Sequence, residues 1–557
     1  MVSMAERDMT EVHTTCPRDC YDSCGVSVLL RDGRPPLVRG DRRDPVSRGK
    51  LCRKCATAYN GVLLDPTARL ISPLVRTGRK GLGQFQETSW EVALREVAAR
   101  LKQIVAEDGP ASILNAHYSG TLGMIGYHFP LRFFNRLGAS EVDPDTVCNK
   151  AGHAALGYVY GTSTDGFDPR SIAETSSVFV WGANPSASAP HQHEHWLAEA
   201  DCPIVVVDPL ATETAKAADL HLQLVPGSDA ALAFGLMHVL NRDELVDRTF
   251  LESQCVGYDE LHPLIVEWTP ERTESVTGVP REQVELAARL WGAGPSLLWI
   301  GQGLQRQPRG GNVVRAVSLL PAVTGAIGQP GGGFLYLNGI ETRGLDEDYL
   351  TASHLASSER PIVSQMDLAG VLAERRRSKA LFCWNINIAA SNPAQRRLRE
   401  ALSREDLFTV VVDLFPTDTV DFADIVLPAA SFLEEDDLVV SYFHQSIGAQ
   451  SKALEPLGAS LPNSEIFRRL AREMGYSDPE LYEADREILS RLLEQSGIRL
   501  TFEELAAKGT TWTAPEPRVQ FAELRFPTDS GRIEIASRAA EKDGMPLVPQ
   551  PLFDRPP

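Results

Sequence analysis

At 557 residues, 43% hydrophobic and 23% charged, the chain is too long for a single core and too ordinary in composition for a disordered or fibrous protein. Its formal charge of -19, from 55 basic against 74 acidic residues, argues against a nucleic-acid backbone or an anionic membrane as the main partner, though a local basic funnel for a small anion stays possible. No run approaches the roughly 18 apolar residues of a spanning helix, and MVSMAERDMTEVHTT has neither the apolar core of a secretory leader nor a twin-arginine stretch.

The cysteines come first along the chain. Of nine, at 16, 20, 24, 52, 55, 148, 202, 255 and 383, five fall in the first tenth. Cys16, Cys20, Cys24 and Cys52 are spaced C-x3-C-x3-C-x27-C, within CPRDCYDSC and GKLCRKC. Three thiols in a short loop and one returning from a distance can hold the four corners of a [4Fe-4S] cluster, and soft sulfur favours that chemistry. Zinc is the alternative metal, since four cysteines also bind it, but both short spacings are x3 and not the x2 of zinc knuckles. A metal pattern without a disulfide framework fits a reducing cytoplasm.

GVSVLLRDGRPPLVRGD is predicted as a hairpin turning at Asp32-Gly33. SWEVALREVAARLKQIVAED is predicted as a helix capped by Ser89, and ASILNAHYSG as a strand entering a turn. From about 175 the pattern is α/β. SSVFVWGANPSAS is a buried strand ending in a polar loop, HEHWLAEA a short helix, and CPIVVVDPLATETA a second such strand. A strand near 221–225 and a helix in PGSDAALAFGLMHVL follow. Parallel sheets place ligands at such strand ends.

The same pattern returns about two hundred residues later. KALFCWNINIAASNP matches SSVFVWGANPSAS, and LFTVVVDLFPTDTVDFADIVLPAAS matches CPIVVVDPLATETAKAADLHLQLVP. Two loosely duplicated nucleotide-type domains are expected, because core packing alone does not require the same polar loop residues twice.

Together these segments resemble the molybdopterin-dependent oxidoreductases of the dimethyl-sulfoxide-reductase type, over residues 14–545. CPRDCYDSC…RGKLCRKC is similar to that family's cluster domain, and DPTARLISPLVRTGRKGLGQFQETSWEVAL to the linker after it. FVWGANPSASAPH, QRQPRGGNVVRAVSLLPAVTGAIGQPGGG, DFADIVLPAASFLEEDD and FPTDSGRIEIAS are similar to its later segments. The resemblance implies a multidomain α/β fold: a small β-containing iron-sulfur domain and two related Rossmann-like parallel-sheet domains. It implies a cluster domain over 12–70 completed by part of 495–540, a discontinuous α/β domain over 71–145 and 345–475, and a second over 146–340. Family members continue for a further β-barrel-like pterin domain. Here 541–557 is expected to be a linker toward it, with the domain itself absent and supplied by a small subunit or lost by truncation.

The implied cofactors are a [4Fe-4S] cluster on Cys16, Cys20, Cys24 and Cys52, and molybdenum or tungsten held by two molybdopterin guanine dinucleotides. Cys148 falls where the family supplies the protein ligand to that metal, with Asn149 and His153 on the following helix start. Lys54 falls where a lysine sits between cluster and pterin; Cys55 replaces the glycine common after it and is expected to be a packing residue. The first nucleotide loops carry Asn184, Pro185, Ser186, Asp208, Thr212, Gly227, Ser228 and Asp229, with Gly303 and Arg306 beginning the glycine-rich segment. Trp384, Asn385, Asn387, Asp413 and Thr417 are the second-half counterparts. Asp219 and Asp424 are expected to cap local loops, and HQHEH at 191–195 to lie on a solvent-facing helix without metal.

Two departures point away from formate: Asn149 stands where formate enzymes have histidine, and Asn338 where they have a carboxylate-clamping arginine, with Arg343 displaced by five residues. The expected activity is two-electron redox chemistry on a small substrate, relayed through the cluster to an electron-transfer protein, with no nucleic-acid partner and no membrane insertion. The alternatives are a non-redox lyase like acetylene hydratase and a non-catalytic iron-sulfur scaffold.

Overall fold

The computed structural model describes residues 9–553. The leader expectation therefore falls partly outside the described residues, as do the last four positions of 541–557. The chain divides into two compact units. One holds residues up to Val147, Arg343–Val440 and Ser446–Thr513; the other holds Cys148–Thr342, Ser441–Gln445 and residues from Ala514 onward.

The first unit opens with a three-stranded antiparallel sheet, Met9–Thr15, Gly25–Arg31 and Arg34–Gly40. The predicted hairpin is present, and Gly33 takes φ +66°, a conformation that suits a residue without a Cβ. The segment 502–510 packs onto this sheet: Arg43 Nη1 donates to the Ala507 carbonyl at 2.6 Å, and Thr510 Oγ1 to Asp44 Oδ1 at 2.9 Å.

The larger sheet of this unit has eight strands. From edge to edge they are Ile362–Ser364, Ser140–Asp143, Ile113–His117, Ala380–Trp384, Phe408–Asp413, Ile425–Pro428, Leu74–Arg76 and Phe85–Glu87. Both faces are covered, which is why the central strands are buried along nearly their whole length and mostly apolar, with Asn115, His117 and Thr409 among the buried exceptions. Ala380, Phe382 and Trp384 pack with the helices Trp90–Asp108 and Asn463–Met474, while Leu381 and Cys383 pack with Leu368–Ala373 and Gln395–Leu402. Ser89 caps Trp90–Asp108 as expected, accepting from the Val92 N–H at 3.3 Å.

The second unit has a five-stranded parallel sheet in the order Leu220–Leu222, Ile204–Val207, Ser177–Trp181, Ser296–Ile300, Gly333–Leu335. The helices Asp229–Arg242, Arg281–Gly292 and Gly310–Ser318 supply much of its core. Gln520 acts as a false strand at its edge: its amide accepts from the Phe334 N–H at 2.9 Å and donates to the Phe334 carbonyl at 3.0 Å.

Asp219 and Asp424 do the same job in the two units. Asp219 accepts from the Ile204 N–H at 2.8 Å, and Asp424 from the Thr409 N–H at 2.7 Å, each pinning the start of the neighbouring strand. The solvent-facing helix expected at 191–195 is corrected. His191 and Gln192 are buried in a short helical turn, and the π-helical turn His193–Leu197 buries Leu197 while leaving Glu194 exposed, so the segment is only partly solvent-facing.

Arg69 and Glu434 form an ion pair at 3.0 Å with side chains 0% and 2% exposed. Arg69 also donates to the carbonyls of Leu63 and Ala429, each at 3.1 Å, and Glu434 accepts from the Ser431 N–H at 2.6 Å. Removing one partner strands a buried charge. Glu434→Ala is expected to destabilise the first unit by about 3–5 kcal/mol, seen as a lower thermal midpoint, and a change below about 1 kcal/mol would contradict this account.

Candidate functional site

The hairpin builds the cysteine corner. Cys16 follows the first strand and Cys24 precedes the second, and the Cys16 N–H donates to the Cys24 carbonyl at 2.8 Å, closing the loop between them. Cys52 is the N-cap residue of the helix Arg53–Tyr59. None of the nine cysteines is in a disulfide. Burial pushes the Cys20 and Cys24 thiols up, with the nearby Asp22 carboxylate adding to both. Cys52 is pushed up by its hydrogen bond with Cys55 and then by burial. Cys16 is held below the usual thiol value, first by its hydrogen bond with Cys55 and then, against burial, by Tyr59. Lys54, exposed on the same helix, supplies a field that favours thiolate at Cys20 and Cys52. Several crowded thiols that resist ionisation in a buried corner fit a soft multi-iron cluster, whose positive charge offsets the loss of their protons.

In the first unit, strand order reverses between Ile113–His117 and Ala380–Trp384. The chain leaves the former toward Ser140–Asp143 on one side and the latter toward Phe408–Asp413 on the other. The strand ends part there, as open parallel sheets require at a switch point. A cavity of about 530 Å³ lies at this opening. Its walls include Asn385, Asn387, Asp413 and Thr417, together with Arg18, Asp19 and Tyr59 from the cysteine module. Asn385 takes φ +55°, a left-handed kink that asparagine tolerates, and its Nδ2 donates to the Gly126 carbonyl at 3.1 Å. Asp413 accepts from the Leu414 N–H at 2.6 Å and the Thr417 hydroxyl at 3.0 Å, and burial raises its carboxyl. Trp384 is fully buried, stacked on His117 at 4.7 Å and donating to Asn115 Oδ1 at 2.8 Å. It supports the loop and offers no surface to a ligand.

In the second unit the reversal lies between Ser177–Trp181 and Ser296–Ile300. A Cβ at Gly301 would stand 2.2 Å from the Gly182 carbonyl oxygen, so only glycine lets these strand ends approach. Gly303 is close to the same carbonyl, to which its N–H donates at 3.0 Å. Cys148 lies just before the helix Lys150–Tyr160. Arg306 Nη2 is 3.6 Å from its sulfur, Gln305 Nε2 donates to its carbonyl, and Gln305 Oε1 accepts from the Gly152 N–H at 2.8 Å. Tyr336 donates to the Asn149 carbonyl at 3.0 Å, and His153 Nδ1 is 2.5 Å from Ser163 Oγ. The half-buried Cys148 is thus presented on a fixed backbone beside a cation.

The other residues expected in this unit divide. Asn184 and Ser186 shape the first loop, with Pro185 buried at its helical start. Asp208 accepts from the Leu210 N–H at 2.8 Å and is raised by burial. Thr212 caps the short helix Glu213–Ala217. Gly227 takes φ +92° and leads to Ser228, which is buried with its hydroxyl on the Val225 carbonyl. Asp229 is occupied by Trp181 Nε1 at 2.9 Å and Gln307 Nε2 at 3.0 Å. Asn338 is also occupied: its amide bridges the carbonyls of Phe167 and Phe443 and the Gly166 N–H.

Thr214 and Thr419 were not expected. Asn387 Oδ1 accepts from the Thr419 hydroxyl at 2.7 Å and its N–H at 3.2 Å, while Thr419 Oγ1 accepts from the Ala389 N–H at 3.0 Å. Asn184 Oδ1 accepts from the Thr214 hydroxyl at 3.1 Å, while Thr214 Oγ1 accepts from the Ser186 N–H at 3.0 Å. The same clasp joins the two strand-end loops in each unit and turns each asparagine's oxygen inward. The signal was in the sequence, since Thr-x-Thr follows Val-Val-Val-Asp in both copies.

Residues 69–473 match the sequence model of the family described as molybdopterin oxidoreductase, and residues 9–63 that of the molybdopterin oxidoreductase Fe4S4 domain. A probable oxidoreductase, YoaE, of Bacillus subtilis is 35% identical over 99% of this chain and 81% of the relative. The alpha subunit of the F420-dependent formate dehydrogenase 1 of Methanococcus maripaludis is 27% identical over 90% of this chain and 76% of its own. Acetylene hydratase from Pelobacter acetylenicus has the same fold, with a TM-score of 0.82 at 21% identity, over 97% of this chain and 79% of the other.

Thr419→Val is expected to cost about 1–3 kcal/mol and Thr419→Ser much less; equal thermal midpoints for the two would show that the hydroxyl does not matter. Asp437 is pushed up to about 7 by burial, although it accepts from the Ile125 and Gly126 N–H groups at 2.9 Å each. Its unfolded value is about 3.9, so its contribution is fully present below that pH and lost as pH rises through about 7. Melting midpoints measured across this window are expected to fall with a shallower slope in Asp437→Asn than in the wild type.

Proposed function

The chain belongs to the molybdopterin oxidoreductase family, and from that premise we propose that it exchanges two electrons with a small substrate at a molybdenum or tungsten bis(molybdopterin guanine dinucleotide) centre. When bound, that centre would supply two-electron chemistry, and a [4Fe-4S] cluster would supply a one-electron relay toward an electron-transfer protein. Cys16, Cys20, Cys24 and Cys52 would hold the cluster. In this reading 12–70 with part of 495–540 form the cluster module, while 71–145 with 345–475, and 146–340, are two related nucleotide-binding halves.

The observation that carries the proposal is Cys148, a half-exposed thiol at a switch point with Arg306 on its sulfur and Gln305 on its carbonyl. A neighbouring guanidinium favours the thiolate needed of a metal ligand, and the side-chain bond from Gln305 holds the direction of approach. His153, fixed on Ser163, would place an imidazole one helical turn further on. In the nucleotide halves, Asn184 and Asn387 have their oxygens held by threonine, which leaves their N–H groups to donate to ligand oxygens. Asp208 and Asp413 lie at the ends of their strands, where a carboxylate can accept from ribose hydroxyl or guanine N–H groups. Lys54 would stand between cluster and pterin.

The occupied amide of Asn338 supports a substrate other than formate, because it leaves no bidentate carboxylate clamp at that position. Nine cysteines without a disulfide support a reducing, cytoplasmic setting. Among the described residues no helix is long and apolar enough to cross a membrane.

Metal and nucleotide analysis of the purified protein tests the proposal: iron with molybdenum or tungsten and guanine nucleotide is expected, and iron without pterin would leave only an electron-transfer or scaffold role. Cys148→Ala is expected to abolish turnover while keeping the iron. Arg306→Ala is expected to lower turnover by about 10–100-fold, with unchanged activity counting against its place beside the ligand.

A further inference from the structure

Tyr59 and Cys55 converge on one sulfur. Tyr59 Oη lies 2.8 Å from Cys16 Sγ, and Cys55 Sγ lies 4.0 Å from it. The three residues are 7%, 4% and 5% exposed, in the order Tyr59, Cys55, Cys16. Both neighbours ride on the helix Arg53–Tyr59, whose N-cap is Cys52, and the Tyr59 ring is fixed against Phe432 with centroids 4.7 Å apart. As free thiols and phenol, any of these groups can be the donor. A sulfur bound to iron has lost its proton and can only accept, so both neighbours would then donate to it.

We propose that Tyr59 and Cys55 form a two-donor clamp on the Cys16 sulfur that raises the reduction potential of the cluster. The inference rests on the reading of Cys16, Cys20, Cys24 and Cys52 as cluster ligands. Reduction places extra negative charge on the ligand sulfurs, so hydrogen bonds to a sulfur stabilise the reduced cluster more than the oxidised one. Burial strengthens the effect, since water cannot replace a donor that is removed. A glycine at position 55 would provide no side-chain donor. Tyr59 also lines the cavity of about 530 Å³.

The test is a potentiometric titration of the cluster-loaded full-length protein, followed by electron paramagnetic resonance. Tyr59→Phe keeps the ring and is expected to move the midpoint to more negative potential at wild-type iron content. Cys55→Ala is expected to move it the same way by less, the double variant furthest, and Cys55→Ser, which keeps a donor, back toward wild type. Electron-nuclear double resonance after exchange into deuterium oxide is expected to show exchangeable protons coupled to the wild-type cluster, with coupling lost in the variants. Unchanged or more positive midpoints at full iron content overturn the clamp. Should Tyr59→Phe not take up the cluster, the Cys55 pair and the wild-type resonance decide, and a wild-type cluster without coupled exchangeable protons overturns it. Zinc in place of iron in the wild-type protein would instead overturn the ligand reading beneath it, and metal analysis shows that before any potential is measured.

Discussion

Parallel strands cannot be joined by tight turns, so each pair needs a crossover, and where successive crossovers change direction the strand ends are forced apart. This constraint underlies both units. In one it opens between Ile113–His117 and Ala380–Trp384, and in the other between Ser177–Trp181 and Ser296–Ile300. The apolar cores on either side fix the strands, and the polar residues just beyond their ends are left to line the openings. Asn385, Asn387 and Asp413 reach one opening because Trp384 and the Phe408–Asp413 strand are locked behind them.

The cysteine module depends on a different geometry. An antiparallel pair brings Cys16 and Cys24 together, and a helix that starts at Cys52 adds the distant thiol and two hydrogen-bonding neighbours. The buried Arg69–Glu434 pair then holds the segment leaving this module to the strand-end region at Ala429–Glu434. Ala429, Ala430, Ser431 and Phe432 are cavity walls, so a structural ion pair sets the shape of a candidate binding surface.

Buried acids mark the same region. Asp413 and Glu435 line the cavity and are both raised by burial, with Asp437 adding to Glu435. Such groups are costly in a core that only has to be stable, and groups shifted by desolvation beside a cleft are typical of sites that meet a polar ligand.

Much of this was legible in the chain. Periodicity and capping gave away the helix after Ser89, and the Asp-Gly turn its hairpin, because each is a local property of neighbouring residues, while the spacing of Cys16, Cys20, Cys24 and Cys52 pointed to the segment that matches the Fe4S4 domain. The repeated Trp-x-x-Asn and Val-Val-Val-Asp likewise announced two similar halves. What the sequence could not decide were encounters between distant residues: that Trp384 and Asp229 would be closed in, that Asn338 would be occupied by backbone, and that His191 and Gln192 would turn inward. A residue type states which bonds it can make, but only the packed fold determines which partners arrive first and which groups are left over for a ligand.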